Sequence, residues 1–139
     1  MSVKRFPNSA TPSELASVIE ADGGVIVKGF LSPSLLENLK QDLLPMLETT
    51  PNGVDEYFAG AQTRRLSRLF ARTDHMVDVA LNPLYLETAR LILQKPIALW
   101  SGENQVEVAP DIQVGVTQAI QIHPGQGVQP LHRDDSVWL

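Results

Sequence analysis

The chain contains no cysteine, which excludes a disulfide framework, a thiolate zinc site and an iron–sulfur cluster; any metal would have to be held by nitrogen and oxygen donors. Reducing surroundings fit that absence. Basic residues are also scarce: eleven Lys and Arg stand against sixteen Asp and Glu, giving a formal charge of −5 and a pI near 5.1. Such a balance disfavours a phosphate backbone as partner, so no nucleic acid is expected. Long apolar runs are missing too. The start, MSVKRFPNSA, has no stretch of signal-peptide length, and nothing elsewhere approaches the roughly 20 residues of a membrane span. The expectation is a cytoplasmic protein with no membrane partner. No internal repeat or low-complexity tract is present.

What is there is enough for one globular domain: 139 residues, 43% of them hydrophobic. Thr11, Pro12 and Glu14 combine a cap, an N1 proline and a capping box, so a helix is predicted from there to the Gly23-Gly24 pair, with Leu15, Val18 and Ile19 inward. Val25-Ile26-Val27 reads as a short strand. Ser32 and Pro33 repeat the start signal, and Leu36, Leu39, Leu43 and Leu47 recur at helical spacing. Pro45 is expected to end or kink that helix near Leu44. Residues 51–60 read as a loop. A third helix is predicted from Asn82-Pro83 to about Gln94, followed by an apolar run at Ile97–Trp100, a turn over 101–104, and alternation from Ile112 to Ile122. Helices first and strands last argue for α+β, with helices on one side of a mainly antiparallel sheet. Too few strands are visible to close a sandwich, and the sheet is expected to be incomplete.

The chemistry concentrates in QPLHRDDSV. On a strand, residues two apart share a face, so the imidazole of His132 and the carboxylate of Asp134 can grip one ion, two thirds of the two-His-one-carboxylate triad of non-heme Fe(II) oxygenases. A solvated strand is the bland alternative. The lead-in His123-Pro124-Gly125-Gln126-Gly127 offers a tight turn, after which a strand edge would present Gln129, His132 and Asp134. HRD letters also occur in protein kinases, but no glycine-rich phosphate loop, VAIK-like lysine or following asparagine accompanies them.

These stretches, with DGGVIVKGFLSP and TRRLSRLF earlier in the chain, resemble the phytanoyl-CoA dioxygenase-like Fe(II)/2-oxoglutarate oxygenases, and most closely the branch found in natural-product pathways. The resemblance covers nearly the whole chain but only the N-terminal part of such an enzyme. It implies a double-stranded β-helix, or jelly roll, carrying N-terminal helices: one incomplete domain over 1–139, mainly helical in 1–96 and with its first core strands in 97–139. Fe(II) and 2-oxoglutarate are the cofactor and cosubstrate it implies. It makes His132 and Asp134 iron ligands, Gln129 a contact to 2-oxoglutarate, and Asp135 no ligand; it places an arginine near the cosubstrate, with Arg65 and Arg72 as candidates. Read from spacing alone, Arg64, Arg68 and Arg72 fall at i, i+4 and i+8, so a solvated helical face competes with a guanidinium fork for a carboxylate. The family's distal histidine and the arginine anchoring the far carboxylate would lie beyond residue 139. His75 and His123 do not follow the motif as the family requires, and an exposed or cap-forming role and a structural role are expected for them.

The implied activity is oxidation of a hydrophobic small molecule in secondary metabolism by hydroxylation, desaturation or ring rearrangement. Tyr57, Phe58, Trp100 and Trp138 are candidates to line an apolar pocket, although core packing competes for them. The alternatives are a truncated or inactive homologue, a non-catalytic subunit in a homodimer or heterodimer, or a cupin-like binding module. The last would not call for Gln129, His132 and Asp134 together.

Overall fold

The computed structural model describes residues 2–55, 58–109, 111–132 and 134. Two compact units emerge, residues 1–39 with 74–115 and residues 40–73 with 116–139.

In the first unit, strand β1 (Lys4–Pro7) pairs in parallel with β2 (Val25–Lys28), and helix α1 (Pro12–Asp22) makes the crossover between them. The capping box forms as the sequence requires. Glu14 N–H donates to Thr11 Oγ1 at 3.3 Å, and Glu14 Oε2 accepts from the Thr11 backbone at 2.8 Å. Gly23, at φ 81, closes the helix by donating to the Ile19 carbonyl. Leu15 and Ala16 are buried. β1 was not foreseen: KRFP has no alternation, and only its partner β2 makes it a strand.

The hydrogen bonds from Thr11, its backbone N–H first and its hydroxyl second, hold the Glu14 carboxyl below the ordinary carboxylate range. A depressed folded-state pKa stabilises above the ordinary value, and that contribution is lost as pH falls through the depressed one. Urea midpoints of the wild type are therefore expected to fall more steeply from neutral toward acid pH than those of Glu14→Gln. Parallel curves for the two proteins would contradict this.

Helix α2 (Pro33–Thr49), capped by the Ser32 hydroxyl on Leu35 N–H at 3.2 Å, begins in the first unit and ends in the second. It does not stop near Leu44. Pro45 lies inside it, and the turn beyond is held by burial of Leu47 and by Thr50 Oγ1 donating to the Met46 carbonyl at 2.8 Å. Burial of the following turn outweighs the one backbone hydrogen bond that proline removes.

Further along the first unit, a short helix α3 (His75–Ala80) precedes α4 (Pro83–Leu93), which Asn82 caps through Leu84 N–H at 3.0 Å. His75 is the first residue of α3, with Nδ1 4.0 Å from Asp78 Oδ2. Helices α1 and α4 pack together, and Phe30 meets Tyr85 edge-on at 6.4 Å. β4 (Ile97–Ser101) and β5 (Asn104–Val108) form a hairpin about Gly102, which has φ 63; the second strand was not anticipated.

The second unit is built on β3 (Thr63–Ser67) paired antiparallel with β6 (Gln118–Ile122). The Arg64/Arg68/Arg72 spacing is thus not a helical face. Arg64 lies in a strand, Arg68 takes the left-handed conformation at φ 63, and a single 3-10 turn (Leu69–Ala71) follows. The alternation from Ile112 is also longer than its strand: β3 offers five partners, so only Gln118–Ile122 enters the ladder. Val114 and Val116 stay exposed. Leu47, Leu66 and Leu69 are buried here with Thr63 and Thr73.

Helix and strand are interleaved, not segregated. Among the described residues the strands make three two-stranded ladders, one parallel and two antiparallel, and no closed barrel. No helix among them is long and apolar enough to cross a membrane.

Candidate functional site

The expected ligand and cosubstrate residues Arg65, Gln129, His132 and Asp134 all fall in the second unit. Two backbone hydrogen bonds flank the five-pair β3–β6 ladder, His123 N–H on the Gln62 carbonyl at 2.9 Å and Arg68 N–H on the Thr117 carbonyl at 3.0 Å. The chain then turns at His123-Pro124-Gly125-Gln126, where Gly125 takes φ 90 after a proline. That is the turn chemistry its residues call for. Gln126 ties the turn back, its Oε1 accepting from Gln62 N–H at 2.7 Å.

Residues 127–132 are not in a ladder, so Gln129 and His132 stand on irregular chain rather than on a strand edge. Pro130 has no N–H to offer a neighbouring strand. The HxD pair is brought together all the same: His132 Nε2 lies 3.5 Å from Asp134 Oδ1. The other ring nitrogen, Nδ1, is 2.8 Å from the Pro130 carbonyl. A carbonyl only accepts, so Nδ1 is the donor in that bond, and Nε2 is the nitrogen that faces the carboxylate. Asp134 is 95% exposed and His132 far less so.

Across from this pair lies a tightly bound peptide. Asp55 Oδ1 accepts from Phe58 N–H at 2.6 Å and from Ala59 N–H at 3.1 Å. The Phe58 carbonyl accepts from Gln129 Nε2 at 2.7 Å and from Arg65 Nη2 at 2.9 Å, and Arg65 Nε donates to the Ala59 carbonyl at 3.1 Å. The Phe58 ring meets the His132 ring at 5.3 Å with a 54° tilt. One residue therefore gathers Arg65, Gln129 and His132.

The alternation of side chains along β3 separates its arginines. Arg65 is on the face of Thr63 and Ser67, whereas Arg64 turns to the other, where Nη1 reaches the Leu47 carbonyl at 3.4 Å. Arg72 is engaged elsewhere, with Nε on the Ser67 carbonyl at 2.7 Å and Nη1 3.9 Å from Met46 Sδ. Of the two arginine candidates, Arg65 shares a partner with Gln129. His123 opens the turn, and among the described residues its buried Nε2 meets no hydrogen-bond partner.

The aromatics expected to line a pocket are divided between the two units and positions outside the described residues. Trp100 is 71% exposed on β4 of the first unit, Phe58 belongs to the second, and Tyr57, Trp138 and Asp135 lie outside the described residues. The first unit holds an apolar cleft of about 300 Å³ lined by Leu15, Ile19, Val25, Phe30, Leu84 and Tyr85, none of them an expected pocket residue. The role of Asp55 escaped sequence reading. Its only signal was an acidic residue three and four places before the amides it caps.

Chemically, an imidazole nitrogen beside a carboxylate oxygen is a nitrogen–oxygen donor pair suited to a first-row divalent metal once the imidazole gives up its Nε2 proton, and the Pro130 carbonyl supplies the outer hydrogen bond that such a ligand uses. Among the described residues no third His, Asp or Glu joins the pair.

The model of the phytanoyl-CoA dioxygenase (PhyH) family matches residues 19–139. Among curated relatives, the dioxygenase swnH2 of Arthroderma benhamiae is 28% identical over 99% of this chain and 44% of its own length. The multifunctional dioxygenase prhA of Penicillium brasilianum is 27% identical over 98% of this chain and 42% of its own. The dioxygenase aneA of Aspergillus aculeatus is 31% identical over 90% of this chain and 40% of its own. The chain spans less than half the length of each.

Proposed function

The chain belongs to the phytanoyl-CoA dioxygenase family, and from that premise we propose that it is the metal-binding part of an Fe(II)- and 2-oxoglutarate-dependent dioxygenase acting on a hydrophobic small molecule in secondary metabolism. The observation that carries the reading is the His132–Asp134 donor pair, 3.5 Å apart with Nδ1 of the imidazole donating to the Pro130 carbonyl. His132 Nε2 and Asp134 Oδ1 would hold the metal. The chemistry an iron centre supplies is activation of oxygen with 2-oxoglutarate as co-reductant.

The remaining residues bind and orient. Gln129 and Arg65 meet at the Phe58 carbonyl; Arg65 gives Nη2 to it and Nε to the Ala59 carbonyl, and retains further N–H donors for a carboxylate of the cosubstrate. Their convergence favours Arg65 over Arg72 for that contact. We read the β3–β6 ladder as part of a jelly roll.

The test is a titration with Co(II), an oxygen-stable substitute for Fe(II), followed by NMR of the three histidines. Paramagnetic broadening is expected first at His132, with His75 and His123 spared, and is expected to vanish in His132→Ala and Asp134→Ala. Equal broadening of all three would sink the metal assignment. Succinate release from 2-oxoglutarate with Fe(II) under air then separates an active enzyme from a binding-only chain.

A further inference from the structure

We propose that Phe58 is a positioning residue for His132: its ring fixes the plane of the imidazole while its own peptide is clamped from both ends, an inference that rests on His132 being a metal ligand. Two restraints orient an imidazole, one along its hydrogen-bonding edge and one on its face. The Pro130 carbonyl supplies the first, at 2.8 Å from Nδ1, and leaves rotation about that bond open. The Phe58 ring supplies the second, at 5.3 Å and 54°, within the range in which aromatic faces and edges attract.

A side chain can restrain another only if its own backbone is held. The Phe58 N–H is bound by the Asp55 carboxylate, and its carbonyl takes donors from both Arg65 and Gln129. Three side chains therefore hold the two peptide groups on either side of the Phe58 Cα, far more than a surface loop needs for its own sake. The ring itself is 59% exposed, so it contributes little as core. The arrangement also links the two halves of the proposed site, because the groups assigned to the cosubstrate hold the residue that holds the metal ligand.

The test compares Phe58→Leu and Phe58→Tyr with the wild type, first without metal and then in the Co(II) titration. Without metal, Phe58→Leu is expected to move the His132 ring resonances, which lose the ring-current shift, while those of His75 and His123 and the thermal melt stay in place. With Co(II), Phe58→Leu is expected to bind about tenfold more weakly, the lower end of the range for losing a group that orients a metal ligand. Phe58→Tyr, which keeps the ring, is expected to restore wild-type affinity. Unchanged affinity in Phe58→Leu overturns the proposal, as does an equal loss of affinity and melting temperature in both variants. A wild-type chain whose His132 ignores Co(II) overturns the metal reading beneath it, and the wild-type trace alone identifies that failure.

Discussion

Gly60→Val is expected to destabilise the chain by about 3 kcal/mol or more, a large part of the roughly 5–15 kcal/mol that holds an ordinary domain together. Two effects add. Gly60 sits at φ +83, where a side chain with a β carbon costs about 1–2 kcal/mol. A β carbon there would also stand 2.5 Å from Thr63 Oγ1 and 2.8 Å from Gln126 Oε1. Neither neighbour gives way easily, because Thr63 is 2% exposed and the Gln126 oxygen is held by Gln62 N–H at 2.7 Å. Overpacking of this kind costs about 1–3 kcal/mol. Gly125→Ala is the matched control: it has a similar φ of +90 but nothing within 4 Å of the added carbon, so only the backbone penalty of about 1–2 kcal/mol applies. Urea midpoints of the two variants measure the difference, and equal losses would show that crowding at Thr63 is not felt.

Arg65→Ala is expected to weaken 2-oxoglutarate binding by the Co(II)-loaded chain at least tenfold, about 1.4 kcal/mol, whereas Arg72→Ala stays within about twofold. The physical ground is the division of labour along β3 and beyond it. Arg65 points to the Phe58 carbonyl that Gln129 also reaches, while Arg72 is held at Ser67 and Met46. Arg65→Lys is expected to recover only part of the loss, since an ammonium keeps the charge without the planar fork. Calorimetric titration of each variant with 2-oxoglutarate checks this. If Arg72→Ala carries the larger loss, the cosubstrate contact passes to Arg72.

Local signals along the chain were readable wherever the cause was local. Thr11 and Glu14 built the capping box, Asn82-Pro83 started α4, and Pro124-Gly125 made the turn before the motif. The failures share a cause as well, because each was decided by a partner distant in sequence. KRFP became β1 only through pairing with β2, and Arg64 and Arg65 became strand residues only through β6. The alternation from Ile112 was real in composition but had five ladder partners. Around the motif, the closeness of His132 and Asp134 was legible in the HxD letters, while the meeting of Arg65 and Gln129 at the Phe58 carbonyl was not. A backbone carbonyl that two distant side chains share leaves no mark in a linear pattern.

The pairing of β3 with β6 also sets an order in time. Ser67 and Gln118, joined side chain to side chain across that ladder, are 51 residues apart, and Gln129 reaches Phe58 across 71. The intervening residues 74–115 belong to the other unit. Closing so long a loop is entropically unfavourable until the ladder itself compensates, so contacts of this span form late in folding. During synthesis the loop of Phe58 and the strand of Arg65 leave the ribosome long before Gln129 and His132 follow. The contacts that gather Phe58, Arg65, Gln129 and His132 therefore form only after the 42 residues of the other unit between them have been made.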